Sequence, residues 1–138
     1  MKIIKQVSFL ILGIALLMQC TDRSKKTVEV PEITKEKVLR HVVLFKFNDE
    51  ASVEDVQKLN KAFSALSETI PQIKDFEWGI NKSPENFHQG FTHCYLLTFN
   101  SERDRDSMYT PHPDHQAFVA SLQPHLEKVF VVDYWTNP

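Results

Sequence analysis

Glycine is scarce, with three in 138 residues, and cysteine occurs only twice. The first scarcity argues against a glycine-rich phosphate cradle, the second against a small scaffold stapled by disulfides. Neither sign of charge dominates. Sixteen Lys and Arg against eighteen Asp and Glu leave a formal net charge of −2, so no basic surplus draws the chain to nucleic acid. No apolar run reaches the ~20 residues of a comfortable bilayer span. The longest, Val7 to Met18, is broken by Ser8 and Gly13. Phenylalanine is plentiful instead, ten in all, and the hydrophobic and charged contents suit one compact domain.

The apolar run follows Met1-Lys2-Ile3-Ile4-Lys5 and ends at Leu17-Met18-Gln19-Cys20. A basic head before a short apolar stretch reads as an export signal. It resembles a bacterial lipoprotein signal, in which Cys20 becomes the lipid-bearing first residue, although Gln19 replaces the small residue usual before it. Residues 1–19 are therefore expected to be a cleaved signal peptide and 20–36 a flexible, charged linker. That places the protein in the bacterial cell envelope, on the periplasmic or outer-membrane side, held to the membrane by a lipid at Cys20. Cleavage removes Lys2 and Lys5 and takes the formal charge to −4. The remaining thiol, Cys94, lies in an apolar run and reads as a small hydrophobe.

Residues 37–136 are the expected folded domain. Val38 to Phe47 lacks Gly and Pro and reads as a strand apolar on both faces. Ser52 with Asp55 three residues on begins a helix. Val53, Val56, Leu59, Phe63, Leu66 and Ile70 recur along it at three- and four-residue steps until Pro71. Residues 73–80 alternate as a strand with Phe76, Trp78 and Ile80 on one side, and a polar loop runs to Gly90. Phe91 to Phe99 is a further strand, and Ser101 to Tyr109 a short helix. Asp114 to Gln123 resumes the helix after Pro111 and Pro113, and Val129 to Trp135 is a last strand. This βαββαβ order predicts an α+β, ferredoxin-like fold with both helices on one face of a four-stranded antiparallel sheet. Val38, Val42 and Leu44 then point to a bare face, which predicts a homodimer closed sheet against sheet into a barrel.

The helix-facing side of the first strand carries Leu39, His41, Val43, Phe45 and Phe47, and that of the third Phe91, His93, Tyr95, Leu97 and Phe99. His41 and His93 are expected to sit close together near one end of the sheet. His115, Phe118, Val119 and Leu122 share one helix face, so His115 should point at the same region. Tyr109 stands where two prolines bend the chain, and His112 between them reads as a helix cap or a solvent-facing ring.

His41-Val-Val-Leu-Phe-Lys-Phe47, Trp78-Gly79, Gly90-Phe-Thr-His93, Tyr109 with His112-Pro-Asp-His115, and Val132-Asp133-Tyr134 occur in an order and spacing that resemble the stress-responsive A/B barrel, or Dabb, family. The resemblance implies a dimeric α+β barrel with a pocket between sheet and helices. Similarity to a plant polyketide cyclase of this family implies Tyr109 and His115 as catalytic residues and His41 and His93 as pocket histidines. Tyr95 and Phe118 complete the expected ligand-binding set.

An imidazole in an apolar pocket can take a proton from carbon beside a carbonyl, because its ordinary pKa of about 6.5 lies near working pH. His115 is the expected base, and the Tyr109 hydroxyl donates to the carbonyl oxygen as charge grows there. Such an aldol-type cyclisation or isomerisation needs no metal and no cofactor. The leading reading is nonetheless a binding module for a small apolar or aromatic molecule, with the acid–base enzyme as its alternative. Two further alternatives are weighed. His41, His93, His112 and His115 could supply four nitrogens to a metal, although the usual ligand spacings are missing. Haem-handling and quinol-oxidising barrels share the general architecture, which keeps a haem or monooxygenase-like barrel open by analogy. A purely structural dimerisation domain would fill the space where the pocket is placed.

Overall fold

A computed structural model describes residues 36–137. The expected signal peptide, Cys20 and all of the linker but Glu36 lie outside the described residues. The elements run β1 (Leu39–Phe47), α1 (Val53–Thr69), β2 (Asp75–Ile80), β3 (His93–Phe99), a π-helix (Asp104–Tyr109), α2 (Pro113–Leu122), a 3₁₀ turn (Gln123–His125) and β4 (Leu126–Trp135). The sheet order is β2-β3-β1-β4, with all neighbours antiparallel. This is the ferredoxin-like arrangement expected from the element order, with β1 and β3 central.

α1 begins where Ser52 accepts the Asp55 N–H and donates its own hydroxyl to the Asp55 carboxylate at 2.6 Å. The exchange holds Asp55 below the usual carboxylate range, chiefly through the Ser52 hydroxyl. Leu59, Phe63, Leu66 and Ile70 turn inward, but Val53, placed on the same stripe by its spacing, is 68% exposed in the first turn of the helix. Asn60 is buried amid the apolar face, where its side-chain oxygen accepts the Tyr95 hydroxyl. The core is largely aromatic. Phe63 stacks on Phe118 at 4.5 Å between ring centres and meets Tyr95 at 4.7 Å, and Phe45 lies 4.9 Å from Tyr95.

β4 carries an irregularity opposite Lys46 and Phe47, where Lys46 faces Lys128 but Phe47 faces Leu126. The skipped residue, Glu127, reaches Lys46 at 2.7 Å, and Leu126 turns to the helix side against the core. Gly90, at φ 85°, lies against the same lysine: a Cβ there would come within 2.6 Å of its stem. Among the described residues, no helix covers the far face of the sheet. Val42 and Leu44 sit on it as expected, opposite Val132 and Phe130, and Tyr134 extends the patch. Phe130, Val132 and Tyr134 are 51%, 39% and 47% exposed. Cys94 faces Leu44 and Gly79 in the register. Burial and the charge of Glu77 push its thiol up, so it stays protonated and acts as a small apolar side chain.

The segment after β3 differs from the short α-helix expected for Ser101–Tyr109. Asp104–Tyr109 is a π-helix, ended by Thr110, whose N–H and hydroxyl both donate to the Arg105 carbonyl at 2.8 Å. The second bond helps hold the wide turn, and Pro111 prevents its continuation. Tyr109 is thereby turned fully inward and Met108 outward.

Candidate functional site

A cavity of about 270 Å³ lies between the β1–β4 side of the sheet and α2. Val43, Phe45, Phe63, Phe118, Val119, Leu122, Leu126, Val129 and Val131 form its apolar walls, and the polar groups are His41, Tyr109, Thr110, His115 and Gln123. Among the described residues, no Lys, Arg, Asp or Glu lines it. α2 presents His115 because His112, with its Nδ1 accepting the Asp114 N–H at 3.2 Å, caps the helix and sets its rotation. His112 is thus a structural cap.

Tyr109 stands between the two cavity histidines, 5.9 Å from His41 and 4.2 Å from His115 between ring centres. Its hydroxyl has no hydrogen-bond partner among the described residues, yet no fully enclosed side-chain polar atom among them goes unpaired. The phenol oxygen therefore reaches the open space of the cavity. Burial and the nearby Asp133 charge push its pKa up, so the hydroxyl remains a donor.

His115 Nδ1 lies 2.9 Å from the Thr110 carbonyl oxygen. A carbonyl only accepts, so Nδ1 carries the proton and Nε2 keeps its lone pair. Burial lowers the His115 pKa; the Thr110 bond opposes the shift, and the like charges of His41 and His112 add to it. The ring is accordingly a neutral acceptor at neutral pH. His41 is held differently, its Nδ1 donating to Asp133 Oδ1 at 2.8 Å. The same oxygen takes Arg105 Nη1 at 3.0 Å, while Arg105 Nε binds Asp106 Oδ1 at 2.7 Å. Hydrogen bonds to two carboxylates push the guanidinium pKa up, and its partner Asp106 is held low.

The expected meeting of His41 with His93 does not occur. The register pairs His41 with Leu97 and His93 with Phe45, so the histidines share a face but stand four residues apart along β1, about 13 Å. Both come near the start of their strands, and antiparallel pairing sends those starts to opposite ends of the sheet. His93 instead packs edge-on to Phe47 at 5.0 Å, with Thr92 Oγ1 2.9 Å from its Nδ1. Burial lowers its pKa. Tyr95, expected to bind ligand, is a core residue whose hydroxyl is taken by Asn60. The four-histidine metal arrangement is dispersed in the same way, since only His41 and His115 of that set line the cavity.

Phe118, Tyr109 and His115 do stand together, as expected, with His41. The spacing arguments passed over Asp133, Arg105 and Thr110, which orient those groups. Asp133 had a legible signal: an acidic residue in the strand run Val129–Trp135, on the inward parity once β4 pairs with β1. Arg105 had none.

Residues 39–136 match the family described as the stress responsive A/B barrel domain, Dabb. The stress-response A/B barrel domain-containing protein HS1 of Arabidopsis thaliana is 38% identical over 96 residues, 70% of this chain and 87% of that protein. Olivetolic acid cyclase of Cannabis sativa is 32% identical over 97 residues, 70% of this chain and 94% of the cyclase. Among solved structures, the hydroxynitrile lyase of Passiflora edulis superposes with a TM-score of 0.67 at 27% identity, over 72% of this chain and 94% of the lyase. A dimeric ferredoxin-like protein of unknown function from Bacteroides fragilis gives 0.58 at 28%, over 72% of this chain and 96% of its own. With the βαββαβ order, the antiparallel register and a family match across the whole described domain, the chain belongs to the stress-responsive A/B barrel family.

Proposed function

We propose that this domain binds a small aromatic or apolar molecule bearing a carbonyl group in the cavity between the sheet and α2. One observation carries the reading: the walls of the hollow are apolar and uncharged, while the rings of His41 and His115 stand 5.9 and 4.2 Å from that of Tyr109 between ring centres. Apolar surface favours the ring or alkyl part of a ligand by the hydrophobic effect, and a few placed polar groups fix its orientation. The probe 2,4-dihydroxyacetophenone supplies both parts. Its binding should shift the NMR resonances of Tyr109, His115 and Phe118. Val131→Trp, which places an indole in the cavity at a position 45% exposed, should abolish those shifts while the fold persists. No shift at millimolar probe, or equal shifts in the variant, refutes the site.

A second reading, acid–base catalysis on the bound molecule, is favoured by the tautomer of His115. With Nδ1–H held by Thr110, Nε2 is available to take a proton from the carbon beside the carbonyl. The C–H electron pair becomes the enolate C=C, the carbonyl oxygen takes the negative charge, and the Tyr109 hydroxyl donates to that oxygen. Return of the proton from Nε2 to a different carbon of a conjugated enolate completes an isomerisation; alternatively, attack of the enolate carbon on a second carbonyl closes an aldol ring, and the alkoxide so formed takes the proton back from Nε2. Two of the similar proteins are enzymes by name, a cyclase and a hydroxynitrile lyase. No step calls for a metal or cofactor.

The bare sheet face is the proposed dimer surface, covered by a second copy. Its support is the contiguous patch of Val42, Leu44, Phe130, Val132 and Tyr134, together with the dimeric Bacteroides fragilis structure. The domain is further proposed to sit in the bacterial envelope, tethered by lipid at Cys20 after removal of residues 1–19. The basic-then-apolar run ending at Cys20 supports this. Cys20→Ser should move the protein from the membrane to the soluble fraction, and persistence at the membrane would contradict lipidation.

A further inference from the structure

Both cavity histidines are oriented by groups that trace back to one residue. The Arg105 guanidinium, whose side chain is only 19% exposed, grips Asp106 through Nε and Nη2 and extends Nη1 to Asp133 Oδ1. That same oxygen receives His41 Nδ1–H. The backbone carbonyl of Arg105 meanwhile accepts the N–H and the hydroxyl of Thr110, and the Thr110 carbonyl accepts His115 Nδ1–H at 2.9 Å and the Gln116 side-chain amide at 2.6 Å. Tyr109 is the last residue of the turn these bonds close. In an ordinary α-turn the Arg105 carbonyl would bind Tyr109 N–H, and Thr110 would be released from it. The wide turn is what lets one residue serve both sides of the cavity.

We propose that Arg105 is a positioning residue: its side chain, through Asp133, sets the tautomer and direction of His41, while its carbonyl, through Thr110, sets those of His115. The two arms are separable. Any amino acid supplies the carbonyl, so only the His41 arm depends on the guanidinium. Asp133 keeps 30% of its side chain exposed and makes no other hydrogen bond among the described residues, so it is free to turn toward water once Arg105 releases it. His41 then loses its fixed acceptor and its ring is free to adopt the Nε2–H tautomer that free histidine prefers. The inference rests on the cavity reading for its functional meaning, but its geometry does not require a ligand.

The experiment is long-range proton–nitrogen NMR of the histidine rings in the ligand-free protein, in wild type, Arg105→Met and Asp106→Ala. In the wild type His41 and His115 should each show a single species protonated at Nδ1. Arg105→Met should convert His41 to a mixture of tautomers and leave His115 unchanged. Asp106→Ala removes the exposed carboxylate that anchors the guanidinium without touching Asp133 or His41, and should give the same change to a smaller extent. It decides alone if Arg105→Met does not fold. An unchanged His41 ring in the folded variants overturns the proposal, and so does loss of the His115 tautomer along with that of His41, which would mean the turn has collapsed. A failed search for ligands would sink the proposed function and leave these spectra unaffected, so the two failures are distinguishable.

Discussion

His115→Gln should slow exchange of the methyl protons of 2,4-dihydroxyacetophenone in heavy water by about 10²–10⁴-fold relative to the wild type, the usual contribution of a positioned general base. Glutamine retains polarity and approximate size but offers no basic nitrogen, so the loss would belong to proton transfer and not to filling of the cavity. The pH dependence carries the sign of the His115 shift. Burial lowers the folded-state pKa below 6.5, so the base is neutral through neutral pH and the rate should stay level there. It should fall only as the pH drops through the depressed value, where the imidazole takes a proton and Nε2 ceases to accept. An acid limb centred above 6.5 would contradict the assignment. Equal rates in wild type and variant would remove His115 as the base. Exchange by the wild type no faster than in buffer would leave the cavity a binding site only.

Val132→Asp should turn the proposed dimer into a monomer. Val132 lies near the middle of the bare face, opposite Val42, and is 39% exposed within one copy, so an aspartate there costs the isolated fold little. Two copies joined through that face would each bury one unpaired carboxylate. Breaking the charge balance of a buried site costs several kcal/mol, so a total of about 3 kcal/mol or more, a hundredfold or greater rise in the dissociation constant, is expected. Sedimentation at micromolar concentration would read it directly. A wild type that sediments as a monomer, or a variant that stays dimeric, excludes this face as the contact.

The site was legible in part. His115 was found because helical spacing places it with Phe118 and Leu122, and Tyr109 because two prolines mark the bend after it. Both signals are local: they depend on the geometry of a few neighbouring residues. His93 is misplaced by a non-local question, the register of β3 against β1, which the expected antiparallel direction leaves open until the strands' ends are fixed. One residue face looks the same whichever end of the sheet it occupies. Tyr95 shows the same limit. Its alternation correctly turns it toward the helices, but nothing in that alternation reveals that Asn60, thirty-five residues away, takes up its hydroxyl.

Strand and helix periodicity, the Ser52 cap and the Pro71 stop lie in the sequence alone, because each arises from contacts within a turn or two of the chain. From these follow the βαββαβ order and the sheet with one covered face. Only the tertiary structure decided which polar groups share the cavity. The Leu39↔Phe99 and Leu39↔Trp135 registers carry His93 away from His41 and bring Asp133 to it. The wide turn at Arg105 then joins Tyr109 and His115 to that end. The physical reason is that a strand pairs through backbone groups common to every residue, so its side chains state which face they prefer but not which partner they will meet.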